Sequence, residues 1–309
     1  MEGGLILPQK GSAVFVSVLL LITFISAAAA AFTLAGPPAP PPGRFAEESA
    51  GSAGEKAAVE PAISSLRPGE IALLKVVCPQ GARLTLENGA GSREIPLVGG
   101  RALLNIPVTE KAGMIKLVLC DDSGTLFEET LEIAERAFGS QKLSAGASGL
   151  QTPSSEDYAL YNAKVAGARA ESAGEPLWQE EGFVLPLFGR VTTEFACHRY
   201  IGGEFSSRHS GVDIAAPAGT EVVAAARGIV TLAEFLPVTG NTVIIDHGMG
   251  LFSLYGHLQS LSAVKGGEVA AGQVIGRVGS TGFSTGPHLH LTFTAHGEMC
   301  DPFQLVPRP

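Results

Sequence analysis

A chain of 309 residues has room for two folded domains with connectors, and its 39 glycines and 6% aromatic content suit short strands joined by tight turns rather than a helical bundle. The formal charge of −9 excludes nucleic acid as a partner, because binding phosphate needs a basic surface.

No charged residue occurs from Gly11 to Gly43, and the apolar run from Ala13 to Phe32 is long enough to span a bilayer. Lys10 supplies a positive flank, and the alanines at 27–31 offer A-x-A cleavage sites. Residues 1–36 are therefore expected to form a signal peptide or a membrane anchor running through residues 13–35. The length of the run favours the anchor. Either outcome exports the remainder. Residues 37–60 open with Gly-Pro-Pro-Ala-Pro-Pro-Pro-Gly and continue with Ala, Ser, Gly and Glu, a composition expected to form an extended spacer.

From 61 to 138 the pattern becomes short alternating segments, such as Ile71-Ala-Leu-Leu-Lys-Val-Val and Met114-Ile-Lys-Leu-Val-Leu, separated by Gly- and Asp-containing turns. This predicts a small β-sandwich. It contains no histidine, which points to positioning or partner binding rather than metal chemistry. Residues 139–184 read as a polar connector. Within it Ser154-Ser-Glu-Asp157 predicts a capping box ahead of a helix from Tyr158 to about Glu171.

Residues 185–309 read as all β. Strand-like runs include Val222 to Val230, Thr242 to Asp246, Leu251 to Tyr255 and Val269 to Gly279. The recurring Gly-x-Val/Ile pattern of the last run is common in barrel-sandwich folds, biotinyl and lipoyl carriers and sugar-phosphotransfer proteins among them. Such a pattern identifies architecture and not activity. Export makes the four cysteines disulfide candidates. Cys78–Cys120 and Cys197–Cys300, one bridge in each domain, is the simplest of three connectivities, with four free thiols as the alternative.

Chemistry concentrates in the stretch Gly279 to His290, where small residues run into Pro287 and two histidines follow. Successive side chains of a strand alternate faces, so His288 and His290 point the same way. Upstream, His209-Ser-Gly-Val-Asp213 also places an imidazole and a carboxylate on one face. Those two groups plus one imidazole of the later pair make three protein ligands, the count a catalytic zinc uses. His257, in Tyr255-Gly-His-Leu, reads on its own as a core or turn histidine.

Taken together, HSGVDI (209–214), GT with VVAAARGIV (219–230), GNTVIIDHGMG (240–250), YGHL (255–258) and STGPHLH (284–290) resemble the lysostaphin/LytM-type zinc metallopeptidases, which cut the peptides of bacterial cell-wall peptidoglycan. The resemblance spans about Leu185 to Val306. It implies a barrel-sandwich (duplicated hybrid motif) catalytic domain, and the preceding segment resembles the Ig-like module of some exported members. It further implies Zn2+ held by His209, Asp213 and His290, with His257 and His288 at the two non-ligand positions that act on water and on the oxyanion. Tyr200 is a candidate for the tyrosine that some members use to bind the oxyanion. Where the family often shows Phe-Gly-x-Arg, this chain has Phe195-Ala-Cys-His198. Peptidoglycan peptides are the implied partner, at the periplasmic face of the inner membrane or in the secreted state. Two other readings share the fold: a catalytically silent member that activates another wall hydrolase, and a carrier or phosphotransfer protein.

Overall fold

The computed structural model describes residues 57–143, 152–201 and 203–309. The predicted signal or anchor and most of the predicted spacer lie outside these residues. Among the described residues no helix is long and apolar enough to cross a membrane.

The first part of the chain alternates apolar and polar residues with period two, and it forms nine strands. These are β1 (Ala58–Glu60), β2 (Ser65–Leu66), β3 (Ile71–Val77), β4 (Arg83–Asn88), β5 (Gly91–Ile95), β6 (Leu97–Val98), β7 (Arg101–Asn105), β8 (Gly113–Asp121) and β9 (Gly124–Ile133). One sheet has the order β1-β3-β7-β6 and the other β2-β9-β8-β4-β5. Leu74, Leu84, Ile95, Leu104, Leu117, Leu119, Leu131 and Ile133 fill the space between them. Each such fully buried side chain contributes about 1.5–3 kcal/mol. The β8–β9 turn is fixed by Asp121, whose Oδ1 accepts from Ser123 N–H at 2.7 Å and Gly124 N–H at 3.2 Å. The predicted sandwich is present, with its start earlier than expected. Ala58–Glu60, assigned above to the spacer, pairs antiparallel with β3 and buries Val59, because a single apolar side chain suffices to seat a three-residue edge strand.

The connector supplies β10 (Ser140–Leu143) and α1 (Ser155–Ala168). Ser154 caps α1 in the predicted capping box, accepting from Asp157 N–H at 3.1 Å while Asp157 accepts from Ser154 N–H at 2.9 Å. The helix begins and ends three residues earlier than predicted. Val165 of α1 packs against Leu232, Leu236, Ile244, Phe252 and Leu254.

The remaining strands are β11 (Arg190–Thr193), β12 (His198–Ile201), β13 (Glu204–Arg208), β14 (Val212–Ala215), β15 (Glu221–Val223) and β16 (Gly228–Leu236). They continue with β17 (Gly240–Asp246), β18 (Leu251–Leu261), β19 (Glu268–Val269), β20 (Val274–Val278), β21 (His288–Ala295) and β22 (Glu298–Cys300). The main sheet runs β11-β14-β21-β18-β17-β16-β19, with β22 on β21, β20 on β18 and β15 on β20. Among the described residues this sheet has two free ends, so the expected barrel-sandwich takes an open rather than closed form. The run from Val269 to Gly279 is two strands, because Gln273 N–H donates to Ala270 O at 3.2 Å and turns the chain between them. A small sheet, β10-β12-β13, stands beside the main one.

All four cysteines are free thiols, which corrects the predicted Cys78–Cys120 and Cys197–Cys300 bridges. Cys197 lies beside Gly139, whereas Cys300 sits on β22 with its thiol directed at Glu298 O. Burial pushes the Cys300 thiol up to about 12, so it stays protonated at neutral pH.

Candidate metal centre

β14 and β21 are antiparallel, and their register puts Asp213 opposite His290 and Ala215 opposite His288. Cross-strand partners share a face, so the carboxylate and the second histidine of the HxH meet without any loop between them. This pairing needs close backbone approach at Gly211, where a Cβ would fall inside the carbonyl of Leu291. His209 enters from the segment ahead of β14. Its backbone is tied to the 195–197 segment, with Ala196 N–H on His209 O at 3.0 Å and His209 N–H on Cys197 O at 2.9 Å.

Three donor atoms converge. His209 Nε2 lies 3.0 Å from Asp213 Oδ1 and 3.1 Å from His290 Nδ1, and His290 Nδ1 lies 2.8 Å from Asp213 Oδ1. Ligand bonds of about 2.0–2.1 Å in a tetrahedral site give ligand–ligand edges of about 3.3 Å. The observed triangle is only a few tenths smaller, and these are the residues whose spacing fits a metal ion. The opposite ring nitrogens have partners that can hold their protons. His209 Nδ1–H donates to Glu194 O at 3.0 Å, and His290 Nε2 faces the hydroxyls of Thr292 (3.0 Å) and Ser210 (3.1 Å). With those protons placed outward, the two nitrogens facing the triangle carry lone pairs. A two-imidazole, one-carboxylate donor set so oriented fits zinc.

Burial pushes the Asp213 carboxyl upward, yet the hydrogen bonds and positive charge that His209 and His290 offer it when their rings are protonated outweigh that and hold the group well below the usual carboxylate range. Asp213 is therefore an anion at every pH of interest. Burial lowers His290 in turn, which keeps its ring neutral and able to ligate.

The two other expected histidines stand beside this triangle, their ring centroids 4.7 Å apart. His288 Nδ1–H donates to Gly286 O at 2.8 Å, and its Nε2 is 3.7 Å from Asp213 Oδ1. His257 sits in the left-handed region (φ 61°), held by its N–H on Thr239 O at 2.6 Å and its Nδ1–H on Thr281 O at 2.8 Å. Burial, helped by the neighbouring His290, lowers His257 to about 3. Both rings thus keep Nδ1 occupied by a carbonyl and leave Nε2 for other work. Thr281 is itself pinned, donating to Leu258 O at 2.7 Å and accepting from Asn241 N–H at 2.9 Å.

His209, Asp213, His257, His288 and His290 come together. Tyr200 packs instead in an aromatic group with His198 (centroids 6.5 Å) and Phe205 (6.0 Å). The arginine before it, Arg199, points its guanidinium at Asp213, with Nη2 3.8 Å from Oδ2. Sequence reasoning missed Arg199, Ser210, Thr281 and Thr292. Thr292 was findable, since it lies two residues beyond His290 on the same strand face. His247 stays outside this group and ties neighbouring strands within the core: Nδ1–H donates to Arg227 O at 2.8 Å, and Nε2 is 2.7 Å from Ser253 Oγ.

Residues 207–302 match the family model Peptidase family M23. The DD-carboxypeptidase/endopeptidase Mpg of Neisseria meningitidis serogroup B is 39% identical over 139 residues, which are 44% of this chain and 32% of that protein. The murein hydrolase activator EnvC of Escherichia coli (strain K12) is 42% identical over 136 residues, 44% of this chain and 30% of that one. The chain thus spans about a third of the length of these curated relatives. A Pseudomonas aeruginosa crystal structure described as a peptidase M23 superposes with a TM-score of 0.56 at 26% identity, covering 77% of this chain and 93% of that one. The C-terminal region of this chain is accordingly a peptidase M23 domain of the LytM/lysostaphin family.

Proposed function

We propose that the chain is an exported zinc metalloendopeptidase that hydrolyses peptide cross-links of bacterial peptidoglycan, those containing D-alanine before glycine bridges. The observation that carries this reading is the triangle of lone-pair atoms on His209, Asp213 and His290, flanked by two further histidines whose Nε2 atoms are free. Zinc held by two imidazoles and a carboxylate brings the pKa of a bound water to ~7 and polarises a carbonyl oxygen. The chain's own part is proton handling. Of His257 and His288, one accepts the proton of the attacking water at Nε2 and returns it to the leaving amine, while the other, in its doubly protonated form, donates from Nε2 to the oxygen that gains charge. Proton transfer of this kind typically contributes a factor of about 10²–10⁴.

Similarity to an activator raises a second reading, a silent member that docks on another hydrolase. Docking alone has no use for five polar groups converging in a buried site, and the endopeptidase reading accounts for all five. Purified protein is expected to hold one zinc and to release peptides from cross-linked muropeptides, read by product mass. His209→Ala or Asp213→Ala should abolish both zinc and cleavage, and His288→Ala should keep zinc while turnover falls by a factor of about 10² or more. Protein that takes no zinc on reloading, or that takes zinc and cuts nothing, would sink the reading.

A further inference from the structure

β12 lies at the rim of the metal centre and carries His198, Arg199 and Tyr200 in succession, with its pairing to β13 interrupted by a bulge between Arg199 and Tyr200. Successive side chains of a strand alternate faces. Tyr200 and His198 turn to Phe205, His198 at a centroid distance of 5.8 Å, and Arg199 turns to the metal ligand Asp213. The two carboxylate oxygens divide the work. Oδ1 faces His209 and His290, and Oδ2 faces the guanidinium.

That guanidinium has capacity to spare. The carboxylate oxygen it faces is 3.8 Å away, beyond hydrogen-bond distance, and its Nε is buried with no partner. Leaving a buried donor unmet costs about 1–3 kcal/mol, so a fold that holds a cation this way gains by presenting it to an anion. The side chain is 31% exposed and therefore reachable by a ligand from solvent. A planar fork of donors in a partly buried site is the group best suited to a negatively charged oxygen.

We infer that Arg199 binds the oxyanion that forms on the substrate carbonyl, the task the sequence suggested for Tyr200; the inference rests on the endopeptidase reading above. During the reaction the oxygen of water bonds to the carbonyl carbon, the carbonyl π pair moves onto its oxygen beside Arg199, and the water proton passes to a histidine Nε2. Collapse restores the C=O bond, the C–N bond breaks, and the same proton goes to the departing amine. Arg199 stays protonated throughout, and its contact is strongest when the charge is on oxygen.

The test uses the full chain and a peptide phosphinate, whose tetrahedral anionic phosphorus group imitates the charged intermediate. Arg199→Ala is expected to hold zinc within about threefold of wild type in chelator competition. Its kcat should fall by about 10²–10³, phosphinate affinity should fall by a similar factor, and KM for a muropeptide should move little. Arg199→Lys should restore part of both losses. Unchanged phosphinate affinity in Arg199→Ala would overturn the inference. So would a zinc loss large enough to explain the kinetics, which would make Arg199 a positioning residue for Asp213, and so would a greater loss in Tyr200→Phe than in Arg199→Ala. A wild-type protein that cuts no muropeptide would sink the endopeptidase reading instead, and the phosphinate titrations would still report whether Arg199 contacts the anion.

Discussion

Seven histidines share one chemistry in this chain, and the partner of each ring nitrogen separates their work. His209 and His290 present opposite nitrogens to the same point because a carbonyl claims Nδ1 of the first and hydroxyls claim Nε2 of the second. His247 has both nitrogens occupied inside the core, and burial lowers it to about 4. Its effect on stability has a definite sign. Below about pH 6.5 the unfolded chain takes up a proton that the native ring refuses until about pH 4, so the unfolded state binds more protons in that window. Stability is complete above pH 6.5 and is lost as pH falls toward 4, by about 3 kcal/mol for this group. His257, lowered to about 3, acts in the same direction. Urea midpoints measured from pH 7 to 4 should fall in the wild type, and His247→Asn should make that decline shallower. An unaltered slope in the variant would show that His247 is not the buried neutral ring described.

At the scale of elements, the β14–β21 pair builds the centre, and it depends on Gly211. The atom a Cβ would meet there is the backbone carbonyl of Leu291, which cannot swing aside as a side chain would. Gly211→Ala must push β14 off β21, moving His209 and Asp213 away from His290. The variant is expected to lose about 3 kcal/mol of stability and to bind zinc at least about tenfold more weakly, measured by thermal unfolding and chelator competition. Wild-type zinc affinity would mean that the strands tolerate the extra carbon. How much of this was legible follows from the kind of signal involved. His288 and His290 were legible because a strand has period two, and His209 with Asp213 because four residues return to one face. The capping box at Ser154 was legible because its chemistry is local. Arg199 was not legible, since no residue type announces that β12 would stand against Asp213. The cysteine pairing failed for a related reason: membership of one domain does not fix which thiols face each other. Val59 was hidden by a spacer-like composition around a single strand-forming residue.

At the scale of the described molecule, the sandwich and the peptidase domain do not end where their sheets do. Leu103 and Val108 of the sandwich belong to the same buried cluster as Trp178, Phe195 and Met249. Arg136 pairs with Asp301 and donates to Pro68 O at 3.0 Å, and Asp301 N–H reaches Gly69 O at 2.8 Å. A shared core and these polar ties predict that the two parts unfold together. Gly69 tests this. It holds φ 84°, and a Cβ there would enter the ring of Phe195, which begins the segment that anchors the backbone of His209. An L-residue with positive φ costs about 1–2 kcal/mol even before the ring must move. Gly69→Ala, a change made in the sandwich, should therefore lower a single calorimetric transition of the whole molecule by about 3–8 °C, at about 2–4 °C per kcal/mol for this size. Zinc affinity should weaken with it, since displacing Phe195 disturbs the backbone beneath His209. Two separate transitions, with only one shifted and zinc binding untouched, would show that the sandwich is a bystander to the metal centre rather than part of its foundation.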